Sequence, residues 1–497
     1  MVGKVNKRVV VSIRGALLGV FVLFAGSYFF ASELLAQQSH SPRWVTAYYM
    51  GSSQGWYDNG LLPSGLIDYS AITHIIHFAL LPNPDGSLDT NDGMHQSNSA
   101  PLISKAHGAG AKVLISVGGA ASNALFRQAT DPAVIGTFIN NLVGFMQSRG
   151  YDGIDIDWET VDPPDSLKLS LFLTSLRQRL DALTPRPLLT AAAGLGAATL
   201  WKPVAGLLDQ INLMTYDFSN AWPGWVTWHN SPLYSRGADF PGTGVELPSA
   251  DTLAGSFISA GIPPEKLAIG IDFYGYIWSG GGGTTTGGVT KPRQSWTTPP
   301  SVQANVHFST IMSGYFSPGL YRWDTAASAP YLSIDLPDSA NDKFISYDDE
   351  RSCQAKVDYV RNKGLGGVFI WELGGGVLPP GYYPRDPLLQ AVKRAVHGSP
   401  SDSLPPVTLP RAFNLLQNYP NPFNPVTVIR YTLPVRSPVS LAVYNSIGQL
   451  VATLVNETEP AGFRSVTFDG GGLPSGAYFY RLDAGGFTGV MKMMVIR

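Results

Sequence analysis

The sequence predicts an α/β protein in which a (β/α)8 barrel is followed by a small all-β sandwich of immunoglobulin-like type. Eight short β-branched runs alternate with helical patterns between residues 44 and 396. One of these runs carries acidic residues at alternate positions. After a proline-rich stretch, the helical patterns give way to short runs in which apolar and polar residues alternate. Repeated strand-helix units favour a parallel barrel, whereas short alternating runs between turns favour a sandwich.

The eight predicted strands set the frame of the barrel. They are WVTAYYM, THIIHFALL, KVLISVGG, GIDIDWE, LLTAAAG, QINLMTYD, KLAIGIDFYG and GGVFIWE. Segments between them, such as FINNLVGFMQSRG, repeat apolar residues every three or four positions, which is the helical period. Residues 278–347 are rich in Gly, Thr and Pro and predict an insertion after the seventh strand. Loops that follow barrel strands open onto the face where barrel enzymes keep their active sites.

The two ends of the chain have different compositions. Basic residues precede an apolar run from Ala16 to Ala31, and this predicts a signal peptide over residues 1–36, with an uncleaved membrane anchor as the alternative. Residues 397–412 are polar and proline-rich, which is typical of a linker. Residues 413–497 alternate apolar and polar positions between Gly/Pro turns and predict the sandwich. The protein is therefore expected to be secreted or held at the cell surface.

The overall composition excludes several classes. The 497 residues carry a net charge of -2, so no basic excess suggests a nucleic-acid partner. Hydrophobic residues make up 44% of the chain, which is enough for large cores. The single cysteine, Cys353, excludes an intrachain disulfide and a zinc site made of several thiolates. We expect no metal and no cofactor.

The run DGIDIDWE, residues 152–159, is the strongest chemical signal. Side chains alternate faces on a strand, so Asp155, Asp157 and Glu159 share one face and the apolar residues between them share the other. The apolar face suits the helices, which directs the acids into the barrel. Carboxylates so close together in an enclosed place cannot all be ionised, and they titrate as a unit. Glu159 is the outermost and is predicted to be a protonated general acid, as sugar hydrolysis requires.

Two other interpretations of this run are weaker. A calcium loop of the EF type would need glycine at its sixth position, where counting from Asp155 gives Thr160. An edge strand with an acidic solvent face would not be so apolar on its other side. Asp152 is an odd number of residues away from the three acids, so it does not share their face of the strand. It is expected to hold the start of the strand in place.

Several motifs resemble family 18 glycoside hydrolases, the chitinases and their relatives. DGIDIDWE matches the D-x-x-D-x-D-x-E signature of that family. The segment ISVGG, with Gly118 and Gly119, is similar to its third-strand motif, and NLMTYD is similar to its sixth-strand motif. SYDDERSCQAKVDYVRNKGLGGVFIWEL is similar to its last helix and strand. The resemblance covers residues 44–396.

The resemblance implies a role for each matching residue. Glu159 is the implied catalytic acid, Asp157 orients the substrate acetamide and shares a proton with Glu159, and Asp155 sets the charge on Asp157. Tyr216 donates to the acetamide carbonyl. No carboxylate nucleophile is needed, because the N-acetyl oxygen attacks the anomeric carbon and the reaction proceeds with retention. The implied substrate-binding residues are Trp371, Met214, Asp217, Trp222, Tyr48 and Tyr274.

The chain also departs from the family pattern. GGAASN follows the third strand where many relatives carry an aromatic residue, and Tyr276 stands where the family often has arginine. The insertion of residues 278–347 is expected to be smaller than the α/β insertion that deepens the substrate groove of processive enzymes. These departures predict an open groove and endo cleavage.

The C-terminal segments NYPNPFNPVTVIRYTLP, VYNSIGQLVATL, PSGAYFYRL and KMMVIR resemble the sorting domain of the bacterial type IX secretion system. That resemblance implies export across the outer membrane, with the secretion machinery as a partner. A carbohydrate-binding or spacer sandwich is the alternative.

These resemblances imply a secreted endo-acting chitinase that cleaves β-1,4-linked N-acetylglucosamine in chitin or chito-oligosaccharides. We expect a monomer. The alternatives are an endo-β-N-acetylglucosaminidase acting on N-glycans and a catalytically inactive chitin-binding lectin.

Overall fold

A computed structural model of the chain describes residues 42–54, 61–90, 94, 96–196, 198–379, 382, 384–398, 410, 412–418, 420–459 and 462–496. The predicted signal peptide, residues 1–36, lies outside the described residues, as does most of the predicted linker, residues 397–412. Within the described part of the chain, no helix has the length and apolar character needed to cross a membrane.

The first module contains fourteen strands among its described residues. They are β1 Trp44–Met50, β2 His74–Pro82, β3 Leu88–Asp89, β4 Lys112–Gly119, β5 Gly153–Trp158, β6 Leu188–Ala193, β7 Gln210–Leu213, β8 Leu267–Asp272, β9 Tyr274–Ser279, β10 Ser301–His307, β11 Tyr321–Asp324, β12 Ala329–Ile334, β13 Lys343–Tyr347 and β14 Gly367–Trp371.

The helices of this module lie mainly between its parallel strands. They are α1 Gly51–Gln54, α2 Gln96–Gly108, α3 Asn123–Ala129, α4 Ile135–Arg149, α5 Ser166–Asp181, α6 Ala198–Trp201, α7 Ala250–Ser259, α8 Phe308–Gly314, α9 Glu350–Lys363 and α10 Pro387–His397.

Eight parallel strands form a closed barrel. The hydrogen-bonded order is β1, β14, β8, β7, β6, β5, β4, β2, and the ring closes because β1 also pairs with β2. The (β/α)8 fold predicted from the sequence is therefore confirmed. The two faces of each strand differ as alternation requires. On β5, Ile154 and Ile156 are fully buried in the layer between strands and helices, and the Trp158 ring stacks on Phe126 at 4.7 Å between centroids.

The chain between β8 and α9 builds a separate sheet on one end of the barrel. Strands β9 to β13 are antiparallel in the order β10, β9, β13, β12, β11, and α8 lies between β10 and β11. This segment begins at Tyr274, two residues after β8 ends at Asp272. It therefore starts at the carboxyl ends of the barrel strands and adds a wall to that end.

The C-terminal module is all antiparallel β. Its strands are β15 Asn414–Leu415, β16 Val426–Leu433, β17 Ser437–Asn445, β18 Leu450–Glu459, β19 Gly462–Asp469, β20 Gly476–Ala484 and β21 Phe487–Val495. They form one sheet in the order β15, β16, β19 and another in the order β18, β17, β20, β21. Side chains from both sheets, including Ile429, Leu441 and Tyr480, share one buried core. The predicted all-β module after the barrel is confirmed.

Candidate active site

A row of hydroxyl groups holds the innermost carboxylate of β5. Asp155 is fully buried, and it accepts hydrogen bonds from Tyr48 Oη at 3.0 Å, Ser116 Oγ at 3.0 Å and Thr190 Oγ1 at 2.6 Å. Ser116 and Thr190 lie directly opposite Asp155 on β4 and β6. Burial raises the pKa of Asp155 to about 6, against the opposing effect of these three donors. Among the described residues, hydroxyl donors rather than a cation hold the inner carboxyl group.

Asp157 and Glu159 form a hydrogen-bonded pair above Asp155. Burial raises the pKa of Asp157 well above its ordinary value, and the charges of Glu159 and Asp155 raise it further. Burial also raises the pKa of Glu159, with an added contribution from the charge of Asp217, while the hydrogen bond from Asp157 opposes the rise. Two buried acids this close retain a proton between them. We call Asp155, Asp157 and Glu159 the carboxylate ladder.

The two upper members of the ladder differ in exposure. Asp157 is only 1% exposed, whereas Glu159 is partly open to solvent and lies one residue beyond the end of β5. The shared proton can therefore reach a group bound at the mouth of the barrel only through Glu159. This arrangement is what a general acid requires: a retained proton, an enclosed partner and access to the cleft.

Tyr216 supplies a neutral hydroxyl beside the pair. It follows β7, is buried, and packs edge-on against Tyr274 and Phe369, at 5.9 and 5.8 Å between ring centroids. Burial raises the pKa of Tyr216 well above its ordinary value, and the nearby charges of Asp157, Asp217 and Glu159 act in the same direction. The phenol stays protonated, so it can donate a hydrogen bond toward the ladder or toward a ligand.

Asp217 faces the opening and is held by two tyrosines. Its Oδ1 accepts from Tyr274 Oη at 2.6 Å and from Tyr276 Oη at 2.9 Å. Its backbone is left-handed, with φ 59°, and its N–H donates to Asn230 Oδ1 at 3.1 Å. The residue is solvent-accessible, yet the surrounding protein raises the pKa of Asp217 by burial, and the two tyrosine hydroxyls oppose that rise. Tyr276 thus contacts Asp217 directly.

Aromatic rings form a wall beside the ladder. The Trp371 ring lies 5.2 Å from Tyr48 and 4.9 Å from Phe78, the latter edge-on at 89°. Gly119 has φ 116°, and a Cβ atom there would lie 2.7 Å from Phe78 Cζ. Glycine is therefore needed at 119 to let the Phe78 ring approach Trp371.

Met214 and Trp222 have different surroundings. Met214 is partly buried against the same aromatic cluster as Tyr216 and Trp371. Trp222 is 42% exposed in the loop after β7, and its ring packs edge-on against Trp225 at 4.4 Å. Trp228, farther along that loop, is fully buried and donates to the Pro248 carbonyl oxygen at 2.8 Å. Of these tryptophans, Trp222 presents an accessible ring.

Asp152 and Gly118 both hold strands β4 and β5 together. The Asp152 carboxylate accepts from the Val113 N–H at 2.8 Å and contacts His107 Nε2 at 2.7 Å and Lys112 Nζ at 3.0 Å. It ties the start of β5 to the start of β4. A Cβ atom on Gly118 would lie 2.0 Å from the Asp157 carbonyl oxygen, so β4 can approach the ladder only with glycine there.

A second buried group of acids lies beside the site. Lys356, fully buried on α9, hydrogen bonds to Asp348 and lies 3.6 Å from Asp272 Oδ1. Asn230 Nδ2 donates to Asp272 Oδ2 at 2.5 Å, which connects this group to Asp217. Burial would lower the pKa of Lys356, but the charges of Asp348 and Asp272 outweigh it and raise that pKa. We call Asp272, Asp348 and Lys356 the lysine-centred cluster.

Several residues of this site and of the lysine-centred cluster beside it are not among the predicted site residues. They are Phe78, Ser116, Ser122, Thr190, Asn230, Asp272, Asp348 and Lys356. Ser116 and Thr190 could have been found from the sequence. Side chains alternate faces along a strand, and the parallel register of neighbouring strands places both residues on the inner face beside Asp155. The others depend on contacts between distant segments. In the described part of the chain, no group of three or more His, Cys, Asp or Glu side chains has the arrangement of a metal site.

Comparison with known proteins identifies the first module. The family model described as glycosyl hydrolases family 18 matches residues 45–376, which is more than half of the 497-residue chain. The chain belongs to glycosyl hydrolase family 18. A second family model, described as a secretion system C-terminal sorting domain, matches residues 417–497.

Individual relatives agree with this assignment. Chitinase A1 of Niallia circulans is 34% identical over 298 residues, which cover 53% of this chain and 40% of that protein. The class V chitinase of Arabidopsis thaliana is 30% identical over 345 residues, or 64% of this chain and 84% of the relative. Against the first of these, the chain thus spans less than half of the relative's length. The crystal structure of the Ostrinia furnacalis group IV chitinase has the same barrel fold, with a TM-score of 0.59 and 24% identity over 71% of this chain and 99% of that one.

Proposed function

We propose that this family 18 member is a chitinase that hydrolyses β-1,4-linked N-acetylglucosamine by a retaining, substrate-assisted mechanism. The observation that carries the proposal is the Asp157–Glu159 pair, which retains a proton on the inner face of the barrel and opens to solvent at Glu159. Relatives whose names describe them as chitinases support the choice of substrate.

Cleavage would begin with proton transfer from Glu159 to the glycosidic oxygen. The carbonyl oxygen of the neighbouring N-acetyl group attacks the anomeric carbon as the bond to the leaving sugar breaks. The product of this step is a cyclic oxazolinium ion, and Glu159 is now a carboxylate. Water then adds to the anomeric carbon from the face the leaving group vacated. Glu159 takes a proton from that water, which restores the acid and gives retention.

The other residues of the site would support the acetamide. Asp157 orients its N–H and, as a carboxylate, stabilises the positive charge of the oxazolinium ion. Tyr216 donates to the acetamide carbonyl, and its raised pKa keeps that proton in place. Asp155 sets the charge of Asp157 from below through its own raised pKa. Preorganised donors and acceptors of this kind stabilise charge without reorganising during the reaction.

Sugar binding would rest on the aromatic wall and on Asp217. Trp371 offers an indole face to the apolar side of the sugar at the cleavage site, with Tyr48 and Met214 beside it. Asp217, fixed by Tyr274, offers its free oxygen to a sugar hydroxyl. The exposed Trp222 ring would stack on a sugar farther along the groove.

We further propose endo cleavage. The loop after β4 carries Ala120 and Ala121 where an aromatic wall would narrow the groove. Digestion of soluble chito-oligosaccharides should release mixed lengths from the start of the reaction. Release of dimers alone, from one chain end, would contradict the endo mode while leaving hydrolysis intact.

Two other activities use the same fold. An endo-β-N-acetylglucosaminidase would need the same ladder, whereas a lectin would not need Glu159. Incubation with chitotetraose and with a high-mannose glycopeptide, beside a Glu159→Gln variant, separates the three. Cleavage of chitotetraose that is lost in the variant supports the chitinase. Cleavage of the glycopeptide alone indicates the glycan enzyme, and binding without cleavage indicates the lectin.

The C-terminal match suggests how the enzyme leaves the cell. We propose that residues 413–497 direct the chain across an outer membrane, so that the enzyme is released or held at the cell surface. Deletion of this segment should trap active enzyme in the periplasm. Unchanged export of the truncated chain would contradict the proposal.

A further inference from the structure

The position of Glu159 is not set by the barrel ladder itself. The last residue pair between β4 and β5 joins Gly119 to Trp158, and both strands end there. Glu159 is the next residue and has no partner in a strand. Its side chain must nevertheless stay in contact with Asp157, so another part of the chain has to hold its backbone.

Ser122 makes the contacts that hold this segment. Its Oγ accepts from the Glu159 N–H at 3.1 Å and donates to the Asp157 carbonyl oxygen at 3.2 Å. One hydroxyl thus bonds the backbone on either side of residue 158. Ser122 is 1% exposed, so water does not compete for either bond.

The local structure offers this hydroxyl a different partner. Ser122 immediately precedes α3, in the position where a serine side chain ordinarily accepts a bond from an N–H of the first helical turn. No such bond is made here. The hydroxyl is directed to the catalytic strand, which leaves the start of α3 without its usual side-chain cap.

The neighbouring residue extends the same contact. The Asn123 N–H donates to the Glu159 carbonyl oxygen at 2.9 Å. Asn123 Nδ2 lies 3.2 Å from Asp165 Oδ2, and Arg127 Nε donates to Asp165 Oδ1 at 2.6 Å. The start of α3 is therefore anchored to the chain that follows Glu159, and it gives Ser122 a fixed point from which to act.

We propose that Ser122 is a positioning residue for catalysis, which fixes the backbone from Asp157 to Glu159 so that the two carboxyl groups stay in contact and face the cleft. This role rests on the proposed hydrolase function. Ser122 does not touch the substrate. It acts through Glu159, so its loss should affect the chemical step rather than substrate binding.

The test compares the full-length wild type with Ser122→Ala, Ser122→Thr and a control, Thr130→Val. Thr130 lies at the other end of α3, is buried, and bonds the Phe126 carbonyl oxygen at 2.6 Å, so its variant removes a comparable hydroxyl away from Glu159. For each chain, kcat and KM are measured on chitotetraose. The stoichiometry of oligosaccharide binding counts intact sites, and circular dichroism reports folding.

We expect Ser122→Ala to lower kcat about tenfold, with KM within about twofold, because a small misplacement of a reacting group is costly. Ser122→Thr keeps an oxygen at the same position and should recover most of kcat. Thr130→Val should retain wild-type kcat. Each value is expressed per intact site, which separates loss of geometry from loss of folded protein.

Two results would overturn the role of Ser122 in an active wild type. One is a Ser122→Ala variant with unchanged kcat per site. The other is a variant whose lost activity is fully explained by lost binding sites, with no recovery in Ser122→Thr. A wild type that cleaves none of the substrates contradicts the proposed function itself, and the positioning role falls with it.

Discussion

The carboxylate ladder and the lysine-centred cluster both contain buried carboxyl groups, but they are stabilised in different ways. In the lysine-centred cluster, Lys356 provides a cation for Asp348 and Asp272, and every member is sealed from solvent. In the carboxylate ladder, hydroxyl groups surround Asp155, and the upper pair relies on a shared proton. Only the ladder opens to the cleft, through Glu159.

Burial of acids therefore does not by itself mark an active site. In the lysine-centred cluster, burial and the charge of Asp348 raise the pKa of Asp272 well above its ordinary value, although the charge of Lys356 opposes the rise, and every member is sealed from solvent. An acid beside other acids must hold a proton, and a proton that can reach the cleft can be transferred. Mutation of Lys356 should therefore act mainly on stability, whereas mutation of Glu159 should act mainly on activity.

The largest effect is expected for Glu159→Gln. The substitution keeps the shape of the side chain but removes the transferable proton, so kcat on chitotetraose should fall by about a thousandfold or more. The thermal unfolding temperature should change little. Glu265→Gln, at an exposed position, is the control and should keep full activity. Comparable losses in both variants would contradict a specific role for Glu159.

Lys356→Met should produce the opposite pattern. It leaves Asp272 and Asp348 buried without a cation, and the free energy of unfolding should drop by about 3–5 kcal/mol. Chemical denaturation measures this loss. Lys363→Met on the same helix removes an exposed lysine that pairs with Asp251, and it should cost less than about 1 kcal/mol. Equal losses would show that burial of the ion pair is unimportant.

Asp155 should make stability depend on pH. Its folded-state pKa of about 6 lies above the unfolded value of about 4, so the folded protein binds more protons between these pH values. The stabilisation is complete below about pH 4 and is lost as the pH rises through 6, a change of about 2–3 kcal/mol. The free energy of unfolding, measured against pH, should therefore fall less steeply in Asp155→Asn than in the wild type. Parallel curves would contradict this.

The smallest effect is expected for Tyr276→Phe. Asp217 keeps its bond to Tyr274 but loses one donor, and kcat/KM should fall about fivefold. Loss of a hydrogen bond to the charged form raises the pKa of Asp217, so the acidic limb of the pH profile of kcat/KM should move to higher pH. Tyr234→Phe, which lies outside the site, serves as the control. An unmoved acidic limb would contradict the role of Tyr276.

Much of the fold follows from local sequence patterns. The eight barrel strands are predictable because each is a short β-branched run between helical segments, and period-two alternation on β5 separates the acids from the isoleucines. Both signals lie within a few neighbouring residues. Short alternating runs between turns predict the all-β module on the same basis.

The missing parts of the site depend on contacts between segments far apart in the sequence. Ser122 looks like an ordinary helix cap, and only the structure directs its hydroxyl to Glu159. Lys356 looks like a helix-surface lysine until α9 packs over Asp272 and Asp348. Phe78 is one apolar residue among many on β2, and its contact with Trp371 depends on closure of the barrel.

The shared proton of Asp157 and Glu159 is tested most directly by NMR titration of protein labelled with carbon-13 at the aspartate carboxyl groups. An Asp157→Asn variant assigns the Asp157 signal. We predict that Asp157 titrates well above the ordinary aspartate value of about 4, and that Glu159→Gln lowers its pKa by removing a neighbouring charge. An Asp157 signal that titrates near 4 and is unaffected by Glu159→Gln would contradict the account.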